Sequence, residues 1–211
     1  MYCPAHFHVS SPAELAGLIE QFPLATIIRE DDSGLTADHI PLMYKPAQAG
    51  LGELVGHVSR NNPLWQASPQ QELLVVFQGP STYISPNWYA SKRETGKVVP
   101  TWNYAVVHAH CTLRAELEPS KVMSIITELT EQHEAEQEHP WQVTDAPVDF
   151  TDRLINNIVG VSLQINRWQG KWKVSQNQPV QNQLSVVEGL LGEASDAQTQ
   201  MALLVKSHGS T

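Results

Sequence analysis

The stretch "KVVPTWNYAVVHAHCTL", residues 97–113, joins a polar and aromatic cluster, Thr101-Trp102-Asn103-Tyr104, to a run that alternates like a sheet strand. Ala105, Val107, Ala109, Cys111 and Leu113 share one face of that run, and Tyr104, Val106, His108, His110, Thr112 and Arg114 share the other. Side chains alternate across a strand, so the smaller, more apolar set is expected to face a core. Strand mouths favour Gly, Asn and Ser, whereas a Trp there exposes a large ring. A long strand follows, with something flat expected to cover its mouth.

Upstream, "SPAELAGLIEQF" (residues 11–22) carries Ser11 as N-cap, Pro12 at the first helical position and Glu14 where a capping box places it, with Leu15, Leu18, Ile19 and Phe22 on one face. "LATIIRE" reads as a strand, "DDSG" as a turn and "LTADHIPLMY" as a strand that Pro41 interrupts, at an edge or a bulge. "LGELVGHV" and "ELLVVFQG" complete the set, the latter apolar enough for burial on both faces. Strands in this order predict a meander closing into a barrel. "PSTYISPNWYASKRETG" (80–96) reads as a long ordered loop. Beyond the quoted strand, Pro119 to about His139 predicts a helix with Val122, Ile125, Ile126 and Leu129 on one stripe. "VDFTDRLINNI" predicts a second helix, "VGVSLQINRW" a strand, "QGKWKVSQNQP" a basic loop, and the remainder two terminal helices. The expected fold class is mainly β with peripheral helices, in one domain over 1–211 with a helical extension from about 179.

The 211 residues hold 13 basic and 22 acidic side chains, a net charge of −9, which argues against a large nucleic-acid footprint or a polybasic membrane patch. Cys3 and Cys111 are too few for a disulfide framework, so a reducing cytoplasm is the simplest setting. No apolar run approaches the roughly 20 residues that span a bilayer.

His108 and His110 lie about 7 Å apart on one strand face, but two ligands do not make a metal site. His39, His57 or a carboxylate would have to complete it, and with nine histidines a chance pair is the plainer reading, so no metal is expected. There is no G-x-S-x-G elbow, no G-x-G-x-x-G and no phosphate-binding P-loop. "GHVSRNNP" (56–63) offers the Ser59 hydroxyl, the Arg60 guanidinium and the Asn61 and Asn62 amides as a phosphomonoester seat. Arg60 in an ion pair beside ordinary turn chemistry fits the same spacing equally well. In "GKWKVSQN" (170–177), Lys171 and Lys173 share a face if the chain is extended, ahead of Ser175, Gln176 and Asn177, although a solvated basic loop also explains them. Trp102 and Asn103 offer stacking plus directed hydrogen bonds to a polar aromatic ring, with loop anchoring as the alternative.

Taken together, "MYCPAHF", "LVGHVSRNNPLW", "VVFQGPSTYISPNWYASK", "VVPTWNYAVVHAHC", "LTEQHE", "IVGVSLQINRWQGKWKVSQN" and "GLL" resemble, in order from Met1 to about Leu191, the PaiB family of FMN-binding negative transcriptional regulators. The resemblance implies an antiparallel split β-barrel of the pyridoxamine phosphate oxidase and flavin-reductase type, a homodimer, and FMN in a cleft shared by both subunits. On it, Thr101, Trp102 and Asn103 lie at the cleft, Arg60 with His57, Val58, Ser59 and Asn62 lies near the phosphate, and Lys173, Ser175 and Gln176 close over the site. By looser analogy to the oxidase, His39 and Tyr44 stand where that enzyme carries an arginine and a lysine for FMN.

The resemblance also implies negative regulation, with flavin sensing redox state. The sequence shows no helix-turn-helix, zinc finger or basic recognition helix, so direct DNA binding is not expected and repression would be indirect or exerted through a partner. Two other functions share the fold. One is an FMN-dependent oxidoreductase acting on a small substrate, in which the cofactor performs the electron transfer. The other is a haem-binding or haem-degrading split barrel that uses His57, His108 or His110.

Overall fold

The computed structural model describes residues 1–193 and 195–209. In chain order its regular elements are β1 (His8–Val9), α1 (Pro12–Gln21), β2 (Leu24–Asp31), β3 (Gly34–Pro41), β4 (Met43–Lys45), β5 (Glu53–Ser59), β6 (Leu73–Ile84), α2 (Lys92–Thr95), β7 (Thr101–Glu116), α3 (Pro119–Glu134), α4 (Val148–Ile155), β8 (Ile158–Lys173), α5 (Val180–Gly192) and α6 (Asp196–His208). The strands follow the order β3-β2-β6-β7-β8-β5-β4, with β1 added to β8, and the pairs β1–β8, β2–β3, β2–β6, β4–β5 and β5–β8 are antiparallel. The chain forms two compact units. The first comprises Met1–Leu18, Gln78–Val107 and the chain from Gln169 on; the second comprises Ile19–Phe77 and His108–Trp168.

In the second unit, the alternation of the quoted strand is realised: Ala109, Cys111 and Leu113 are buried, as are Ile27, Leu54, Val75, Phe77, Val161 and Leu163. Helix α3 lays Ile125 and Leu129 on Val55 of β5, with Met43 packed against them. Residues 34–45 form the corner of this unit. Strand β3 stops at Pro41, Leu42 turns inward and donates its N–H to Pro23 O at 2.9 Å, and β4 then joins the opposite end of the strand order. A proline that cannot donate ends the ladder, and the buried Leu42 fixes the turn.

In the first unit, Ser11 Oγ accepts from Glu14 N–H at 3.5 Å, as the capping pattern requires, and Leu15 and Leu18 are buried. Ala105 and Val107 continue the buried face of β7. Helices α5 and α6 bury Val186, Val187, Leu190, Met201, Ala202 and Val205. The helix α5 surface at Gly189 lies flat against the Trp88 indole, where any Cβ would collide with the ring.

Four expectations change. The four-strand meander is instead two hairpins, β2–β3 and β4–β5, at opposite ends of the order, because the Pro41–Leu42 corner redirects the chain and β5 pairs with β8. The loop placed at 80–96 begins as strand: Pro80, Thr82 and Ile84 are buried while Ser81 and Tyr83 point out, so β6 keeps its two-residue period to Ile84. The basic loop likewise remains part of β8 through Lys173. Helix α3 ends at Glu134, five residues short of the predicted end, where the acidic run offers no apolar stripe to bury.

Candidate functional site: a cavity and a polar cluster

Strands β3 and β5 and helices α3 and α4, all in the second unit, surround a cavity of about 790 Å³. His39 and Pro41 from β3 and His57 and Ser59 from β5 line it, with Ile40 and Val58 between them, and Asn62 follows at the strand end. Gly56 permits this wall: a Cβ there would sit 2.8 Å from Pro41 O and 2.8 Å from a Leu42 methyl. The "GHVS" glycine is therefore a close-approach residue.

His57 is the most constrained of these groups. Burial pushes its imidazole below the ordinary histidine value, so the ring is held neutral, and its buried Nδ1 has no hydrogen-bond partner among the described residues. Asn62 is satisfied, accepting from Leu64 N–H at 2.8 Å and donating to Asp38 at 2.7 Å. Ser59 Oγ accepts from Asn61 N–H at 3.3 Å and is exposed. Arg60 does not line the cavity. Its Nε–H donates to Asn156 O at 2.8 Å and an Nη2–H to Ile158 O at 3.3 Å, which uses two of a guanidinium's five donors. Trp65 Nε1–H caps the Arg60 carbonyl at 2.9 Å, so this turn is rigidly tied.

The opposite wall was not anticipated. Ile126, Trp141, Val143, Phe150, Leu154 and Ile155 make it apolar, and among the described residues no Lys, Arg, Asp or Glu lines the cavity. Phe150 and Leu154 lie one helical turn apart on one face of α4, a spacing visible in the sequence once the helix is accepted. What the sequence lacked was any reason to set that face opposite β3 and β5.

The remaining predicted residues gather in the first unit. Lys173 Nζ donates to Thr101 Oγ1 and, at 2.8 Å, to Trp102 O. Burial, and after it the charge of Lys171, holds the Lys173 ammonium below the usual lysine range. Asn103 is buried and donates to Ser175 Oγ at 2.8 Å, leaving its own carbonyl oxygen buried without a partner. Ser175 takes a left-handed φ of 67°, which aims its hydroxyl back at β7. Gln176 closes the turn, donating to Trp172 O at 2.6 Å and accepting from Val174 N–H at 2.8 Å. Trp102 is 53% exposed and meets Tyr83 edge-on at 6.3 Å. The answer to the opening stretch is partly structural: Thr101 and the Trp102 carbonyl anchor Lys173, while the Trp102 ring stays available.

Among the described residues no cluster of three or more His, Cys, Asp or Glu is placed to hold a metal ion. His110 Nδ1 lies 3.0 Å from Glu72, which also pairs with Arg167 at 3.2 Å. Burial lowers the affinity of His108 for a proton. No described helix is long and apolar enough to cross a membrane.

The residues present fit a flavin. Cavities that bind small ligands run from about 300 to 1,000 Å³, mostly apolar with a few directed polar groups. The mostly apolar cavity suits an uncharged tricyclic ring, and the buried, unpartnered His57 Nδ1 in its wall is of the kind a ring edge satisfies. A phosphate finds no cation in the lining itself; the unused donors of Arg60, between Ser59 and Asn62, are the adjacent ones.

The sequence model of the family described as "Putative FMN-binding domain" matches residues 1–167. The chain is 32% identical to the uncharacterized protein AN0679 of Emericella nidulans, over 99% of this chain and 98% of that one. It is 28% identical to the protease synthase and sporulation protein PAI 2 of Bacillus subtilis, over 98% of this chain and 97% of that one. In fold it is similar to the FAD and heme binding protein from Mycobacterium smegmatis, with a TM-score of 0.56 and 15% identity, over 79% of this chain and 73% of that one. With its antiparallel sheet, its flavin-compatible cavity and a family match over most of its length, the chain belongs to the FMN-binding split-barrel family of the PaiB type.

Proposed function

We propose that this protein is a homodimer that binds FMN and acts as a PaiB-type negative transcriptional regulator, its flavin reporting redox state. The observation that carries the flavin reading is the pairing of a mostly apolar cavity with a buried His57 Nδ1 that nothing among the described residues satisfies. His39, His57, Val58, Ser59 and Asn62 form the wall along which the ring lies, and Arg60 turns its remaining donors to the phosphate. Thr101, Trp102, Asn103, Lys173, Ser175 and Gln176 are further cofactor contacts, a reading supported by the unpaired Asn103 oxygen. Bound flavin supplies the electron transfer. The chain's own task is to hold the ring away from water and to present fixed hydrogen-bonding groups to its edge.

A net charge of −9 opposes direct DNA contact, so repression runs through a partner protein. The test is a visible absorbance spectrum of the purified protein, then an FMN titration followed by flavin fluorescence, with mass determined by sedimentation. Stoichiometric binding by a dimer is the expected result. No binding at tens of micromolar FMN overturns the flavin reading, and salt-resistant, sequence-specific gel shifts by the pure protein overturn indirect repression.

A further inference from the structure

The cavity has two unlike walls, and the flavin reading occupies only one of them. Strands β3 and β5 supply its polar groups; the helix side supplies Ile126, Trp141, Phe150 and Leu154. Phe150 and Leu154 are 47% and 48% exposed, although a short helix with this stripe would ordinarily bury it, and Trp141, in the segment between α3 and α4, is 46% exposed. The charged residues of α4, Asp149, Asp152 and Arg153, are absent from the cavity lining, and Arg153 pairs with Asp149 at 3.5 Å. Large apolar side chains left half open around a concave space, rather than scattered singly, are a binding feature.

The charge pattern narrows the occupant. This chain carries 35 charged residues of the Asp, Glu, Lys and Arg types, 13 basic and 22 acidic, yet none lines the cavity. A charged guest would lose its water without gaining a counter-charge, whereas an uncharged planar one loses little and covers the aromatic wall.

We propose that the helix wall formed by Trp141, Phe150 and Leu154 binds a second ligand, an uncharged planar aromatic molecule, beside the flavin. This rests on the flavin reading only for what fills the strand wall. The helix wall also sets the preference: apolar and neutral guests are taken, and anionic ones of the same shape are refused.

The test is a calorimetric titration of the FMN-saturated protein with 2-naphthol and, separately, with naphthalene-2-sulfonate, which keeps the ring system and adds a fixed negative charge. Binding of 2-naphthol at least about tenfold tighter than the sulfonate, a difference lost in Leu154→Asp and weakened in Phe150→Ala, is the expected result. Both substitutions fall on half-exposed side chains, and an unchanged melting temperature of the flavin-free variants shows that the fold survives. Equal affinity for the two probes overturns the proposal, as does binding that ignores Leu154→Asp. So does 2-naphthol that binds only when FMN is left out, which would place it on the strand wall. If Leu154→Asp instead dissociates a dimer, the wall is an interface between copies and the proposal fails. Should FMN itself not bind, the same titrations on the flavin-free protein still decide the helix wall, so the two failures are distinguishable.

Discussion

Asn103 Nδ2 donates to Ser175 Oγ at 2.8 Å, while the carbonyl oxygen on the same amide is equally buried and has no partner. The amide is thus clamped by one end with the other held open. An unmade hydrogen bond on a buried acceptor costs about 1–3 kcal/mol, so the position is retained against a stability penalty. Replacing Asn103 by Ala should change the melting temperature of the flavin-free protein little, because a lost bond and a removed orphan offset each other. The stabilisation that FMN confers on the parent should shrink markedly. A thermal-shift series with and without FMN measures both; an undiminished FMN shift in Asn103→Ala would show that the oxygen does not meet the cofactor.

Arg60 should separate the phosphate from the ring. Its Nε–H and one Nη2–H hold Asn156 O and Ile158 O, and its other donors are free. Arg60→Ala should weaken FMN by about 1.5–3 kcal/mol, the worth of a charge-assisted hydrogen bond, and leave riboflavin affinity nearly unchanged. Parallel fluorescence titrations give the comparison. Equal losses for FMN and riboflavin would mean that Arg60 acts only by holding the turn.

If the protein senses redox state through flavin, its thiols should be poor sensors. Cys111 is buried, and burial, with some help from Glu72, pushes its thiol up to about 12. Cys3 is only half-buried, though burial raises its thiol too. With an excess of a chromogenic thiol reagent at neutral pH, Cys3 should react slowly and Cys111 only after denaturant is added. Rapid modification of both in the folded protein would reopen a thiol switch.

Much of this architecture is written in local pattern. The buried set Ala105, Val107, Ala109, Cys111 and Leu113 follows from a two-residue period, and the α1 cap follows from Ser11, Pro12 and Glu14. What escaped was non-local. That β5 pairs with β8 depends on a corner at Pro41 and Leu42, and nothing in either strand names its partner. Composition misled at 80–84, where Pro and Ser disguised a strand whose Thr82 and Ile84 keep its alternation. The polar wall of the cavity was legible because His57, Ser59 and Asn62 sit within six residues. Its apolar wall comes from residues 126–155, and sequence alone gives no distance between the two.

Gly56 should prove indispensable to that polar wall. A methyl group there would press on Pro41 O and Leu42 at 2.8 Å, and the carbonyl cannot swing away without breaking the corner. Gly56→Ala should therefore destabilise the fold by about 1–3 kcal/mol, the usual cost of overpacking. It should also weaken FMN, because β3 carries His39 with it. Urea unfolding combined with an FMN titration tests both; a fully stable variant with parental affinity would mean that the strands separate freely.

The final prediction concerns pH. Burial holds the His57 imidazole below its ordinary 6.5, and the same cause lowers His108. In the window between the lowered folded values and 6.5, the unfolded chain binds more protons than the folded one, so stability rises with pH. The contribution is whole above the unfolded value and is lost as pH falls through 6.5 toward the folded values. Carboxylates such as Glu72, held low first by its hydrogen bond from Arg167, act the same way only below about 4.5, so the two windows are separate. Urea midpoints should accordingly fall between about pH 7.5 and pH 5.5, and the fall should be shallower in His57→Gln, where one titrating ring is gone. FMN affinity should decline over the same range if His57 meets the ring, since protonation converts its accepting nitrogen into a donor and places a charge beside a mostly apolar wall. A midpoint that does not move with pH, or moves identically in His57→Gln, would mean that His57 is not held neutral by the fold.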